Sequence, residues 1–187
     1  MGITGWVIVA LVLIVAGYLV VLYNDLVRKR QLVKEGWSGI DVQLKRRTDL
    51  IPNLMETVRG YMSHERETLT AVTNARAAAT AGANAGPEER ARLEGQLSGA
   101  LGRLIAIAES YPELKANTTF LEFQSALRTV EDEIQMARRY YNGTVRNLNV
   151  AVESFPAVMV AGPLGFAKSE YFELDSPDDR AVPNVKF

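Results

Sequence analysis

The chain has no cysteine and a single histidine, and its charges nearly cancel, with 21 Lys+Arg against 22 Asp+Glu over 187 residues. Without cysteine there is no disulfide framework, thiolate zinc site, iron–sulfur cluster, cysteine nucleophile or lipobox for a lipid anchor. One histidine cannot supply a two-histidine metal site. A net charge of −1 argues against a polyanion-binding domain, which carries a clear basic excess. No Gly-x-x-x-x-Gly-Lys phosphate loop occurs. His64-Glu65 opens like a zinc-protease motif, but position 68 is Thr, so the second ligand is missing. Residue 61 is Tyr, which excludes the Glu-x-x-His pairing of di-iron bundles. The run Glu131-Asp132-Glu133 points its carboxylates in different directions on a helix, and Ser63 has no triad partners. No catalytic, cofactor-binding or metal-ligating residue is therefore assigned. Neither a cofactor nor a nucleic-acid partner is expected.

The apolar residues are unevenly spread. Of the first 23 residues 19 are hydrophobic, and no charged side chain occurs between Gly2 and Asn24. A run of about 20 apolar residues crosses a hydrocarbon core of roughly 30 Å as a helix. Trp6 near one end and Tyr18 and Tyr23 near the other are placed as interfacial anchors. A cleaved signal peptide would have a basic n-region, a shorter apolar run and a small-residue cleavage site, none of which is present. Arg28, Lys29, Arg30 and Lys34 follow the run and nothing basic precedes it. The positive-inside rule then predicts a single-pass protein with a short N-terminus outside and the bulk cytoplasmic.

Most of the remainder reads as helix. Leu26, Val33, Trp37, Ile40, Leu44, Ile51, Leu54, Val58, Tyr61, Val72, Ala75 and Ala79 trace a seam at spacings of three, four and seven, with polar slots at Arg47, Glu65 and Thr68. Pro52 inside this first helix predicts a kink or break near Thr48–Pro52, with Asp49 and Asn53 placed to satisfy the freed backbone groups. AAATAGANAG ends the helix and Pro87-Glu88-Glu89 opens a second one. Its apolar face is Leu93, Leu97, Ala100, Leu104, Ile107 and Tyr111. A third helix begins near Asn117–Thr119, with Thr119 and Glu122 at capping-box spacing, and runs to Phe155. Residues 157–187 read as an apolar, then acidic, mostly irregular tail. The predicted layout is therefore an anchor at 1–24, a basic membrane-proximal stalk at 25–44, a bundle at 45–156 and the tail. The fold class is all-α: a transmembrane helix continuing into a long antiparallel cytoplasmic bundle with coiled-coil-like seams.

Helix lengths set an expected register. At 1.5 Å per residue the first helix is about 80 Å long, the second about 35 Å and the third about 57 Å. If the first rises, the second descends and the third rises again, the third starts level with about Lys45. Arg47 would then lie level with Glu122, and Glu65 with Arg138, so that these slots either face opposite charges or tip out to solvent. The stalk would have no partner in its own chain, so its seam residues Val33, Trp37, Ile40 and Leu44 are expected to be buried by neighbouring copies in a homo-oligomer. Tyr140, Tyr141 and Asn142 are expected to join the third helix to the Pro52 kink.

RRTDLIPNLMETVRGYMSHERETL (Arg46–Leu69), YPELKANTTFLEFQSAL (Tyr111–Leu127), ARRYYNGTVRNLN (Ala137–Asn149), FPAVMVAGPLGF (Phe155–Phe166) and the final VPNVKF closely resemble the LemA family. The resemblance runs from the anchor to the last residue. It implies a membrane-anchored, cytoplasmic, all-helical bundle, here in the bacterial inner membrane. It implies little chemistry, since the family has no established enzymatic activity, and some relatives are associated with membrane organisation, including magnetosome membranes. Gly162 and Pro163 make the LGF segment less helix-compatible than the resemblance leads one to expect. The structural motif residues are then Arg47, Asp49, Pro52, Asn53, Arg138, Tyr141 and Asn142. The expected function is a non-enzymatic, self-associating scaffold at the lipid bilayer, in membrane organisation or stress. The alternative is an adaptor for a membrane-protein partner, such as a protease or transporter.

Overall fold

The computed structural model describes residues 2–62 and 64–173, and among these every regular element is helical. The helices are α1 (Ile3–Arg59), α2 (Arg66–Ala81), α3 (Pro87–Ala108), the single turn α4 (Pro112–Lys115) and α5 (Thr118–Glu153), with short 3-10 turns at Gly82–Asn84 and Ala157–Met159. The final VPNVKF motif and most of the acidic tail lie outside the described residues. The described chain forms two compact units.

The first unit contains Met1–Ser38 and Tyr140–Ser169. Within it α1 carries the apolar run, with a mean hydropathy of 2.8 over its best 18-residue window and none of that window buried. Beyond the run, α5 packs antiparallel on α1. Trp37 meets Tyr141 at 5.4 Å between ring centroids, and Leu26 shares a cluster with Ala151 and Val152. Gly36 lets the helices close up: a Cβ there would lie 3.1 Å from the Cα of Tyr141.

The second unit contains Gly39–Arg139 and the chain from Glu170 onward. Here α1 ends at Arg59 and the chain reverses, because Gly60 lowers helix propensity by about 1 kcal/mol and the amides of Tyr61 and Met62 both close onto Val58 O. The return leg α2 brings Arg76 level with Thr48, and α3 rises again from Leu93 beside Gly82 to Tyr111 beside Glu65. Asn117 caps α5 by accepting from Phe120 N at 3.0 Å, so the cap is Asn117 rather than Thr119. The first leg of α1, α2, α3 and α5 thus make an up-down-up-down four-helix bundle with short connections. Its core is Ile51, Leu54, Met55, Val58, Met62, Val72, Leu97, Leu104, Leu114, Phe120 and Leu127 with smaller neighbours.

Three expectations are corrected by this topology. The first concerns the helix drawn from Asp25 to Thr80, which is two antiparallel helices. That additional reversal makes α5 run back along α1 instead of away from the anchor. Arg47 consequently meets Glu131 rather than Glu122, and Glu65 accepts from Tyr111 rather than facing Arg138. Second, the segment 25–44 does have a partner in its own chain. Val33, Ile40 and Leu44 are buried and Trp37 is half-buried against Tyr141. Third, α1 passes through Pro52 without a break. Proline deprives the carbonyl of Thr48 of its helical donor, and Arg76 Nε on α2 supplies the replacement at 3.2 Å.

Candidate functional site

Polar side chains are buried together at one place in the second unit. Arg47 and Glu94 are each 1% exposed, and Arg90 4%. The position of Arg47 on the α1 seam drives its side chain inward. Arg90 and Glu94 occupy the corresponding face of α3, each three residues before a buried leucine, Leu93 and Leu97 respectively. Nη2 of Arg47 donates to Glu94 Oε2 at 2.5 Å and to Glu94 O at 3.2 Å. Nη1 of Arg47 donates to Ser98 Oγ at 2.6 Å and to Glu131 Oε2 on α5 at 2.9 Å. Arg90 Nε donates to Glu94 Oε1 at 3.2 Å, while its Nη2 reaches Asp41 on α1 at 3.0 Å and its Nη1 reaches Gly82 O at 3.4 Å. At the edge, Arg46 pairs with Glu133 at 2.9 Å.

This arrangement ties four segments together, namely α1, α3, α5 and the Gly82 turn. Both oxygens of Glu94 are occupied by guanidinium groups, Oε2 by Arg47 and Oε1 by Arg90. Among the described residues no group of three or more His, Cys, Asp or Glu side chains is placed to hold a metal ion. The chemistry of the network is that of a lock. Each buried charge is compensated, and removing one partner would strand the others.

The remaining sequence-selected residues are distributed as follows. Asp49 is exposed and pairs with Lys45 at 2.7 Å, and Pro52 and Asn53 are exposed on α1. The carbonyl freed by Pro52 is therefore satisfied by Arg76, not by Asp49 or Asn53. Arg138 is half-buried on α5 in the second unit. Tyr141 and Asn142 lie in the first unit, where Tyr141 packs against Trp37 and Gly36. His64 is exposed. The sequence signal that finds Arg90 and Glu94 is two opposite charges four apart at seam positions of an otherwise apolar face.

At the other end of the polar inventory, Tyr111 Oη donates to Glu65 Oε1 at 3.0 Å and Asn117 Nδ2 donates to Tyr61 Oη at 3.2 Å, joining the α1–α2 turn to the α3–α5 connection. The hydrogen bond to Glu65 holds the Tyr111 hydroxyl above the usual tyrosine pKa, with desolvation acting in the same direction. In the first unit Asp25 accepts from Lys29 and Arg28, which keeps its carboxyl below the ordinary aspartate value despite partial desolvation.

A second constellation lies in the first unit. Phe166 is buried against Leu26 and Ala161, edge-on to Tyr23 at 5.6 Å, with the Arg30 guanidinium 4.8 Å from its ring centroid. Asn149 grips the backbone of Ser169 twice, donating to Ser169 O at 2.9 Å and accepting from Ser169 N at 2.8 Å. Gly165, at φ +76°, makes the turn that this return requires. Two of the sequence motifs, Ala137–Asn149 and Phe155–Phe166, therefore serve one local structure at the end of α5.

The LemA family model matches residues 36–187. The protein LemA of Metamycoplasma hominis is 28% identical over 150 residues, covering 80% of this chain and 68% of its own length. Magnetosome protein MamQ 2 of Paramagnetospirillum magneticum is 25% identical over 184 residues, covering 86% and 68%. Magnetosome protein MamQ of Magnetospirillum gryphiswaldense is 25% identical over 187, covering 87% and 66%.

Proposed function

The chain belongs to the LemA family, and from that premise we propose that it is a non-enzymatic scaffold anchored in the cytoplasmic membrane by the first part of α1. The observation that carries this reading is the continuity of α1: a lipid-compatible apolar stretch, no part of it buried, runs unbroken into a helix whose buried Arg47 is ion-paired within the chain. Such a body offers surfaces and a fixed attachment rather than a reactive group. The cluster Arg28, Lys29, Arg30 and Lys34 supports placing the body on the cytoplasmic side. The names of the magnetosome relatives support a role in membrane organisation.

Self-association belongs to the same proposal. Because Val33, Ile40 and Leu44 are already covered, the surface available for it is the apolar anchor. Mass determination of the full chain in lipid nanodiscs tests this, with a discrete multimer expected. A strictly monomeric particle would remove self-association from the proposal. Deletion of residues 1–24 is expected to release the body from membranes. Persistence of the truncated chain in the membrane fraction after alkaline extraction would count against the anchor.

A further inference from the structure

The geometry points to a second membrane contact: the loop that follows α5 dips its apolar tip into the same leaflet that α1 enters. This rests on the membrane-anchor reading above. Between Ser154 and Ala167 no residue is charged. The two flanking charges close the loop, Lys168 Nζ pairing with Glu153 Oε1 at 2.8 Å, with the Asn149–Ser169 clamp beside them. A polar base and an uncharged tip have the polarity of a segment that enters an interface from the aqueous side.

The tip is placed at the right level. Val160, Pro163 and Leu164 line an apolar cleft together with Leu19, Val20 and Tyr23, the last residues of the apolar run of α1. Whatever depth those residues reach, the tip reaches as well. Arg28 follows Tyr23 by five residues, or about 7.5 Å of helix, which is the thickness of a headgroup layer. Arg146 on α5 lines a cleft with Arg28 and Lys29 at that level, where cations meet lipid phosphates.

The tip also leaves its largest apolar side chains uncovered. Phe155 is 80% exposed, Met159 68% and Val158 52%. In water three such uncovered apolar side chains within five residues would be a liability. At the headgroup–acyl boundary they are matched by lipid. Internal pairing of backbone amides lowers the cost of lipid contact, and much of this loop has it. The amides of Val158, Met159, Val160, Ala161, Leu164, Gly165 and Phe166 all donate within the loop or to the end of α5, at 2.8–3.2 Å. Pro156 and Pro163 have no amide to satisfy.

The absence of native cysteine permits a direct test on the full chain. Single cysteines at Val12, Met159 and Arg128 are nitroxide-labelled in phosphatidylcholine/phosphatidylglycerol vesicles, and collisions with oxygen and with a water-soluble nickel chelate are compared. V12C and M159C are expected to be open to oxygen and shielded from nickel, with R128C showing the reverse. Shielding of V12C with free nickel access at M159C overturns the inference while leaving the anchor in place. Nickel access at V12C overturns the anchor reading and this inference with it. Shielding of M159C from both reagents means a protein neighbour covers the tip, and also overturns it. As an independent variant, V158E/M159E is expected to remain anchored and helical while a label at L164C loses its nickel shielding. Unchanged shielding there counts against insertion.

Discussion

Glu94 is the residue on which the second unit turns, because two guanidinium groups depend on its two oxygens. Glu94→Ala leaves Arg47 and Arg90 buried without their shared partner, and a loss of about 3–5 kcal/mol is expected from urea denaturation of the full chain in micelles. A loss under about 1 kcal/mol, the range of exposed pairs, would mean the pair is solvated in practice. Tyr111 gives a pH-dependent counterpart. Its hydroxyl is raised by the hydrogen bond to Glu65, so the associated stability is present up to the ordinary tyrosine pKa of about 10 and is lost as pH rises through the folded value. The difference in ultraviolet titration between the native chain and Tyr111→Phe isolates this group among the seven tyrosines. Its ionisation is expected above the ordinary value and should return toward it in Glu65→Gln. At this scale the sequence was only partly legible. Arg47 stands out as a polar slot in a seam, whereas Arg90 and Glu94, though opposite charges four apart at seam positions, carry no local mark of the cation on α1 that Glu94 binds.

For the helices, the most informative contact is the one made by Arg76 to the carbonyl that Pro52 leaves free. Arg76→Ala is expected to cost about 1–2 kcal/mol. In a Pro52→Ala background position 52 regains a backbone N–H that can donate to Thr48 O, and the same change should cost measurably less. Equal costs in both backgrounds would show that Arg76 acts elsewhere. Gly36 plays a different part, since its missing Cβ sets the separation of α1 and α5. Gly36→Leu is expected to destabilise the first unit by about 1–3 kcal/mol through overpacking, whereas Gly36→Ala is softened by about 1 kcal/mol of helix propensity. Thermal melts of the two variants should separate by that margin. Helix starts were readable from Pro87 and from the segment Asn117–Thr119, whose chemistry is local, although the capping side chain is Asn117 and not Thr119. The reversal after Arg59 is hidden because Tyr61 continues the spacing of Leu54 and Val58, while Glu65 and Thr68, the seam slots between Tyr61 and Val72, look like polar positions of one seam instead of the end of a helix.

For the whole chain, the count of reversals decides which end of α5 faces the anchor, and a cysteine-free background makes this testable. Gly36→Cys with Tyr141→Cys is expected to form a disulfide within one chain, read as a mobility shift at monomer mass, because the two backbones are in close approach. Glu65→Cys with Arg138→Cys is expected to stay reduced. The reverse outcome would restore the parallel arrangement that helix lengths alone predict. The pairing of Leu26 with Ala161 and Phe166 has a consequence for synthesis. These contacts join residues about 140 positions apart, and a ribosome working at roughly 5–20 residues per second makes the cover for Leu26 on the order of ten seconds after Leu26 itself. Throughout that interval the anchor is available for insertion while the apolar seam just beyond it is bare. On the anchor reading proposed above, the nascent chain thus has a window in which membrane delivery precedes folding, and the segment from Ala161 to Phe166 is the one that closes it.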